Sequence, residues 1–161
     1  MAAITVVLPG KALEALERRA RSEGKAVEEL IGEAVFDRLN IADPEAKMEL
    51  HLKLCEKYKR EAEDFLAKGE HLQASEKAWG AASQILKAVA AKRGIELSSH
   101  RELWEFTTNL SKEHPDWNLL SMFHVANSLH INFYESWLTA EAVTNGINTI
   151  KLFIEKLKKL V

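Results

Sequence analysis

The stretch ASEKAWGAASQILKAVAA, residues 74–91, decides the architecture. Ala74, Ala78, Ala81, Ala82, Ile85 and Val89 recur at helical spacing on one side, while Trp79, Leu86 and Ala90 lie on another. A helix that is apolar on two sides needs neighbours on both, and small alanines let those neighbours approach its backbone. The pattern therefore predicts a helix over about 70–92 at the centre of a helical assembly.

Working outward, Asp43-Pro44 pairs a capping residue with a proline suited to the first helical position. A helix over about 44–68 is expected behind it, with Met48, Leu52, Cys55, Ala62 and Phe65 or Leu66 on the buried stripe and Gly69 closing it. Gly94 ends the central helix. Ser99-His100-Arg101-Glu102 then has the spacing of a capping box and opens a helix to about 112. His114-Pro115 resets the chain ahead of a helix over about 116–137. Thr139 can cap the last helix, whose stripe is Val143, Ile147, Ile150, Ile154, Leu157 and Val161. Long helices with short connections imply an antiparallel bundle.

The front of the chain reads differently. Residues 3–8, Ala-Ile-Thr-Val-Val-Leu, have strand character and stop at Pro9-Gly10. Two amphipathic helices follow, over about 11–23 and 26–40, with Gly24 placed as a C-cap between them. A lone strand leaves its N–H and C=O groups without partners. The same strand of a second subunit is the simplest supplier, so Ile4, Thr5, Val6, Val7 and Leu8 are expected to form a dimerisation strand. The chain divides accordingly into a strand-helix-helix segment, 1–42, and a helical bundle, 43–161.

Composition narrows the function classes. The 161 residues are 47% hydrophobic and 29% charged, with net charge −2 and a pI near 6.3. That balance argues against a dedicated duplex-nucleic-acid binder, which presents a basic face. Residues 1–42 hold six basic side chains against seven acidic ones, and Thr5 alone on the outward face of the strand could hydrogen-bond a base edge. DNA is thus not the expected partner. No apolar run reaches a membrane-spanning length, and nothing at the N-terminus reads as a signal peptide, so no membrane contact and a cytoplasmic location are expected. Cys55 is the sole cysteine, which excludes an internal disulfide. His51 and Cys55 share a helix face, but two ligands make no metal site, and none is expected. There is no glycine-rich phosphate loop or serine elbow, and no cofactor is expected.

One segment stands apart chemically. Leu129-His130-Ile131-Asn132-Phe133-Tyr134-Glu135 sets polar groups into a helix whose neighbours Met122, Phe123, Ala126 and Trp137 read as core. Polar groups on a burying helix cost about 1–3 kcal/mol each when left without partners. His130 and Tyr134, one turn apart, share a face, and Asn132 neighbours Glu135. The segment therefore marks a hydrogen-bonded core network, a subunit contact or a ligand pocket. With His100 and Trp104 from the preceding helix, His130, Asn132, Tyr134 and Glu135 are the binding or interface candidates.

Three blocks in order, Gln73-Ala74-Ser75-Glu76-Lys77-Ala78-Trp79, His100-Arg101-Glu102-Leu103-Trp104 and Leu129 to Glu135, resemble the archaeal PaREP family of mostly uncharacterised proteins. Their order and spacing are also similar to the HEPN superfamily of four-helix bundles, often dimeric, over residues 44–160. The front segment resembles ribbon-helix-helix modules, whose paired strands enter the DNA major groove in members that bind DNA. The HEPN resemblance implies a ribonuclease signature, an arginine four to six residues ahead of a histidine. Here His124-Val125-Ala126-Asn127-Ser128-Leu129 precede His130, with no arginine among them. Arg93 stands ahead of His100 but across Gly94, at the wrong turn. No catalytic residue is therefore assigned.

The expected fold is mainly α, a HEPN-like antiparallel helical bundle preceded by one short β-strand and two short helices. The expected function is that of a non-enzymatic, homo-oligomeric binding or interaction protein. The alternatives are an RNA-cleaving or nucleotide-binding protein and a ribbon-helix-helix transcription regulator with a helical sensor domain.

Overall fold

A computed structural model describes residues 2–161. It contains α1 (Gly10–Glu23), α2 (Val27–Arg38), α3 (Pro44–Ala67), α4 (His71–Lys92), α5 (His100–Glu113), α6 (Leu119–Glu135) and α7 (Ala140–Lys158). The helix ends follow local chemistry. Asp43 caps α3 by accepting from the Glu45 N–H, Ser99 and Glu102 form the capping box of α5, and Thr139 caps α7. Gly24, Gly69 and Gly94 turn left-handed at the ends of α1, α3 and α4.

Fifteen of the 22 residues of α4 are buried, which places it at the centre, packed against α3, α6, α7 and α5. At Gly80, α4 comes close to α3: a Cβ there would stand 3.2 Å from the Tyr58 ring. Phe123, Leu129, Ile150, Phe153 and Ile154 fill the core on the other flank. The stripe read for α7 is buried from Val143 to Leu157.

The N-terminal reading needs correction. Among the described residues no strand forms, and Ile4, Thr5, Val6, Val7 and Leu8 run as exposed, irregular chain into Pro9. Alternating β-branched residues favour a strand, but a strand exists only against a second edge, and this chain folds none beside it. The helices α1 and α2 form as expected, and α2 packs on α3. Their apolar faces stay partly open, at Leu13, Ile31, Val35 and Leu39.

The helix expected over 116–137 is also revised. A single 3-10 turn at Pro115–Trp117 precedes α6, and Asn118 and Ser136 adopt left-handed conformations at its two ends (φ 58° and 54°). Ser136 takes the chain out of helical register, so Trp137 is 64% exposed instead of joining the core.

Candidate functional site

The N-terminal helix pair does not lie flush on the bundle. Between them is a cleft of about 400 Å³. Its floor is one stripe of α4 carrying Glu76, Trp79, Ser83 and Lys87. One wall is His130 and Tyr134 of α6 with His100 of α5. The opposite side is Tyr58 of α3, and the roof is the turn from Arg21 to Glu29. Gly24 makes that roof possible, because its left-handed φ of 64° reverses the chain between α1 and α2 beside the His100 imidazole.

Four rings line one side. His130 stacks on Trp79 at 4.7 Å between centroids and 25° between planes. His100 meets both edge-on, each at 5.3 Å, and Tyr134 meets His130 edge-on at 5.5 Å. His130 Nδ1 donates to Glu76 Oε2 at 2.9 Å, which fixes the ring and leaves Nε2 without a protein partner among the described residues. Partial burial, reinforced by the adjoining His130, holds the His100 pKa below its ordinary value. The arrangement offers imidazoles beside an aromatic wall, one oriented by a carboxylate.

Behind the cleft the roof is anchored by a buried polar chain. Glu29 of α2, 1% exposed, accepts from Lys87 Nζ at 2.6 Å and from Gln84 Nε2 at 2.8 Å. Gln84 Oε1 in turn accepts from His51 Nδ1 of α3 at 2.7 Å. Burial pushes the His51 pKa down, and the Gln84 bond only partly offsets it. Next to this chain, Tyr58 donates to Glu28 at 2.9 Å and Lys57 pairs with the same carboxylate. Burial and the Glu28 charge push the Tyr58 pKa up, so it remains a neutral donor.

The six candidates of the sequence reading separate into different places. His100, His130 and Tyr134 come together in the cleft, and Tyr134 is 66% exposed. Asn132 is buried elsewhere: its amide donates to Ser75 Oγ at 3.1 Å and its carbonyl accepts from the Leu138 N–H at 2.8 Å, tying the end of α6 to α4. Trp104 packs on Phe123 and His124, and Glu135 lies in solvent. Arg93 makes a two-pronged pair with Glu113, at 3.0 and 2.9 Å. Cys55 is fully buried, and its thiol pKa is pushed up to about 12.

Residues that sequence reasoning passed over are Glu29, Glu76, Ser83, Gln84 and Lys87. A signal for four of them was present, since Glu76, Ser83, Gln84 and Lys87 interrupt an otherwise apolar helix on one side. Glu29 carried none, being one glutamate among several on an amphipathic helix.

Fold and site together define a mainly helical bundle protein with a cleft between the bundle and an added helix pair. The sequence model of the Archaeal PaREP1/PaREP8 family matches residues 50–154, and the chain belongs to that family. The crystal structure of a protein from Sulfolobus solfataricus has a similar fold, with TM-score 0.60 and 21% identity, over 66% of this chain and 95% of that one. No curated protein matches the chain. Among the described residues no helix is long and apolar enough to cross a membrane.

Proposed function

We propose that this chain is a homo-oligomeric, non-enzymatic binding protein, acting in the cytoplasm on a HEPN-like antiparallel bundle. Its ligand site is the cleft, and residues 1–42 are a segment that roofs the cleft and joins two copies. The observation that carries the reading is the stacking of His130 on Trp79 beside His100 and Tyr134, with imidazole nitrogens unpartnered at the edge of a cavity. Its volume falls in the range of roughly 300–1,000 Å³ typical of small-molecule sites. Convergent polar groups beside an aromatic wall suit recognition. With no arginine ahead of His130, and Arg93 paired to Glu113, binding is the stronger reading than catalysis.

Pairing of copies is supported by the groove between α1 and α2. Leu16, Leu30, Ile31, Ala34, Val35 and Leu39 line it, and Arg19, Arg38, Glu23, Glu33 and Asp37 rim it with both charge signs. A two-fold contact brings the same patch together twice, so it must be self-complementary.

The test follows the imidazole resonances of His100 and His130 while a small-molecule library is titrated. Expected are ligands that move both together and lose affinity in Tyr134→Ala. If every ligand found moves neither ring, the cleft is not the site.

The two histidines favour one second reading, RNA cleavage, with one imidazole removing the 2′-hydroxyl proton and the other protonating the leaving oxygen. It predicts cleavage of total RNA that is lost in both His100→Ala and His130→Ala. No cleavage by the wild-type protein rejects it.

A further inference from the structure

We propose that the roof side of the cleft is an oxyanion subsite, built to take the phosphate group of a small phosphate monoester. The proposal rests on the cleft being the ligand site.

The argument is an accounting of donors and acceptors. Three carboxylates line the cleft, and all are engaged: Glu29 by Lys87 and Gln84, Glu28 by Tyr58 and Lys57, and Glu76 by His130. The groups left over are donors. Ser83 is 8% exposed and lines the cavity, and its Oγ, itself shielded from solvent, has no partner. Ser75, Thr107, Thr108, Thr144 and Thr149 all turn their hydroxyls back to the carbonyl four residues earlier, and Ser83 does not. Above it, α2 begins at Ala26, which offers no side-chain cap, and Val27 to Glu29 of its first turn line the same cavity at the positive end of a 12-residue helix, with the Glu28 N–H taken by its own carboxylate. Arg21 has no carboxylate partner among the described residues, and His100 makes no hydrogen bond.

Glu28 and Glu29 already stand in the first turn of α2, so the charge that a neutral ligand would leave uncompensated is the Arg21 guanidinium. An anion answers that charge and the unpartnered donors at once. Donors from a helix end, a hydroxyl, a guanidinium and an imidazole converge from different elements, and this suits the three terminal oxygens of a phosphate better than a planar carboxylate. The aromatic wall of His130 and Tyr134 then faces the esterified group. Arg21 and the start of α2 lie outside residues 50–154 and Ser83 and His100 lie inside, so the subsite joins the N-terminal segment to the matched family region.

The test uses phenyl phosphate, inorganic phosphate and the uncharged benzyl alcohol as probes on the full chain, with calorimetry and the His100 and His130 ring resonances as readouts. Phenyl phosphate is expected to bind more tightly than inorganic phosphate and to weaken as salt rises. Ser83→Ala and Arg21→Gln are each expected to weaken it by roughly tenfold, the loss typical of a charge-assisted hydrogen bond. Serine to alanine on a helix keeps the fold, which circular dichroism verifies. If benzyl alcohol moves the rings and neither phosphate does, the oxyanion subsite is wrong while the cleft stands. If phenyl phosphate binds equally well to both variants, the assigned donors are wrong and the proposal fails. If no probe binds, the proposal fails together with the reading beneath it.

Discussion

Glu29 and Lys87, 58 residues apart in sequence, meet as a buried ion pair of 2.6 Å that fastens α2 to α4. Removing one partner strands the other charge out of water. Lys87→Met is expected to destabilise the fold by about 3–5 kcal/mol in urea unfolding, while Glu29→Met with Lys87→Met costs clearly less. Equal losses in the single and double variants would show that the pair contributes through packing alone.

The pH dependence of stability has a definite sign. The pKa of His51 is depressed in the folded state, by burial first and by the nearby Lys87 charge in addition. The unfolded chain therefore takes up protons more readily. Stability from this group is complete above the unfolded value near 6.5 and is lost as pH falls through the lower folded value. His100, depressed by partial burial, acts in the same direction. Urea midpoints at about pH 7.5 and about pH 5.5 should differ less in His51→Gln than in the wild type. An unchanged difference would place the acid sensitivity elsewhere.

Asn132 and His130 are two residues apart yet have separate jobs. Asn132→Ala leaves the Leu138 N–H and Ser75 Oγ without a shared partner and is expected to cost about 1–3 kcal/mol. Ligand affinity in the cleft should stay within a factor of about three, since the side chain does not reach it. His130→Ala should do the reverse, with little loss in thermal midpoint and a large loss in binding.

Gly80 allows α3 and α4 their close approach. Gly80→Val places a branched side chain where one carbon already stands 3.2 Å from the Tyr58 ring. Overpacking of about 1–3 kcal/mol is expected, with the Tyr58 hydroxyl displaced from Glu28. Differential scanning calorimetry measures the first effect, and tyrosine fluorescence follows the second.

The groove between α1 and α2 gives the pairing prediction. Light scattering should find a dimer, and Val35→Glu should weaken it by at least about tenfold by placing a charge in an apolar contact. A monomeric wild type would remove pairing from the reading.

The bundle was legible because its causes are local. Alanine spacing marked α4 as central, and Asp43, Ser99 and Thr139 marked helix starts. Ile4 to Leu8 misled for the opposite reason, since a strand is decided by an edge elsewhere that propensity does not show. The cleft was half legible. His100, His130 and Tyr134 stood out as polar rings on apolar helices. Who pairs with whom did not, because Glu76 reaches His130 across 54 residues and Glu29 reaches Lys87 across 58, separations that only the folded chain brings together.

Because α4 is both the spine of the core and the floor of the cleft, occupancy and folding share one free energy. A ligand resting on that floor raises the melting temperature of the whole domain in proportion to the logarithm of its concentration. The roof meets the bundle mainly through α2 and is expected to lift without the core unfolding, at the cost of the Glu29–Lys87 pair. Hydrogen exchange should therefore separate two opening events: a frequent one confined to residues before Asp43, which admits the ligand, and a rare global one, which the ligand suppresses.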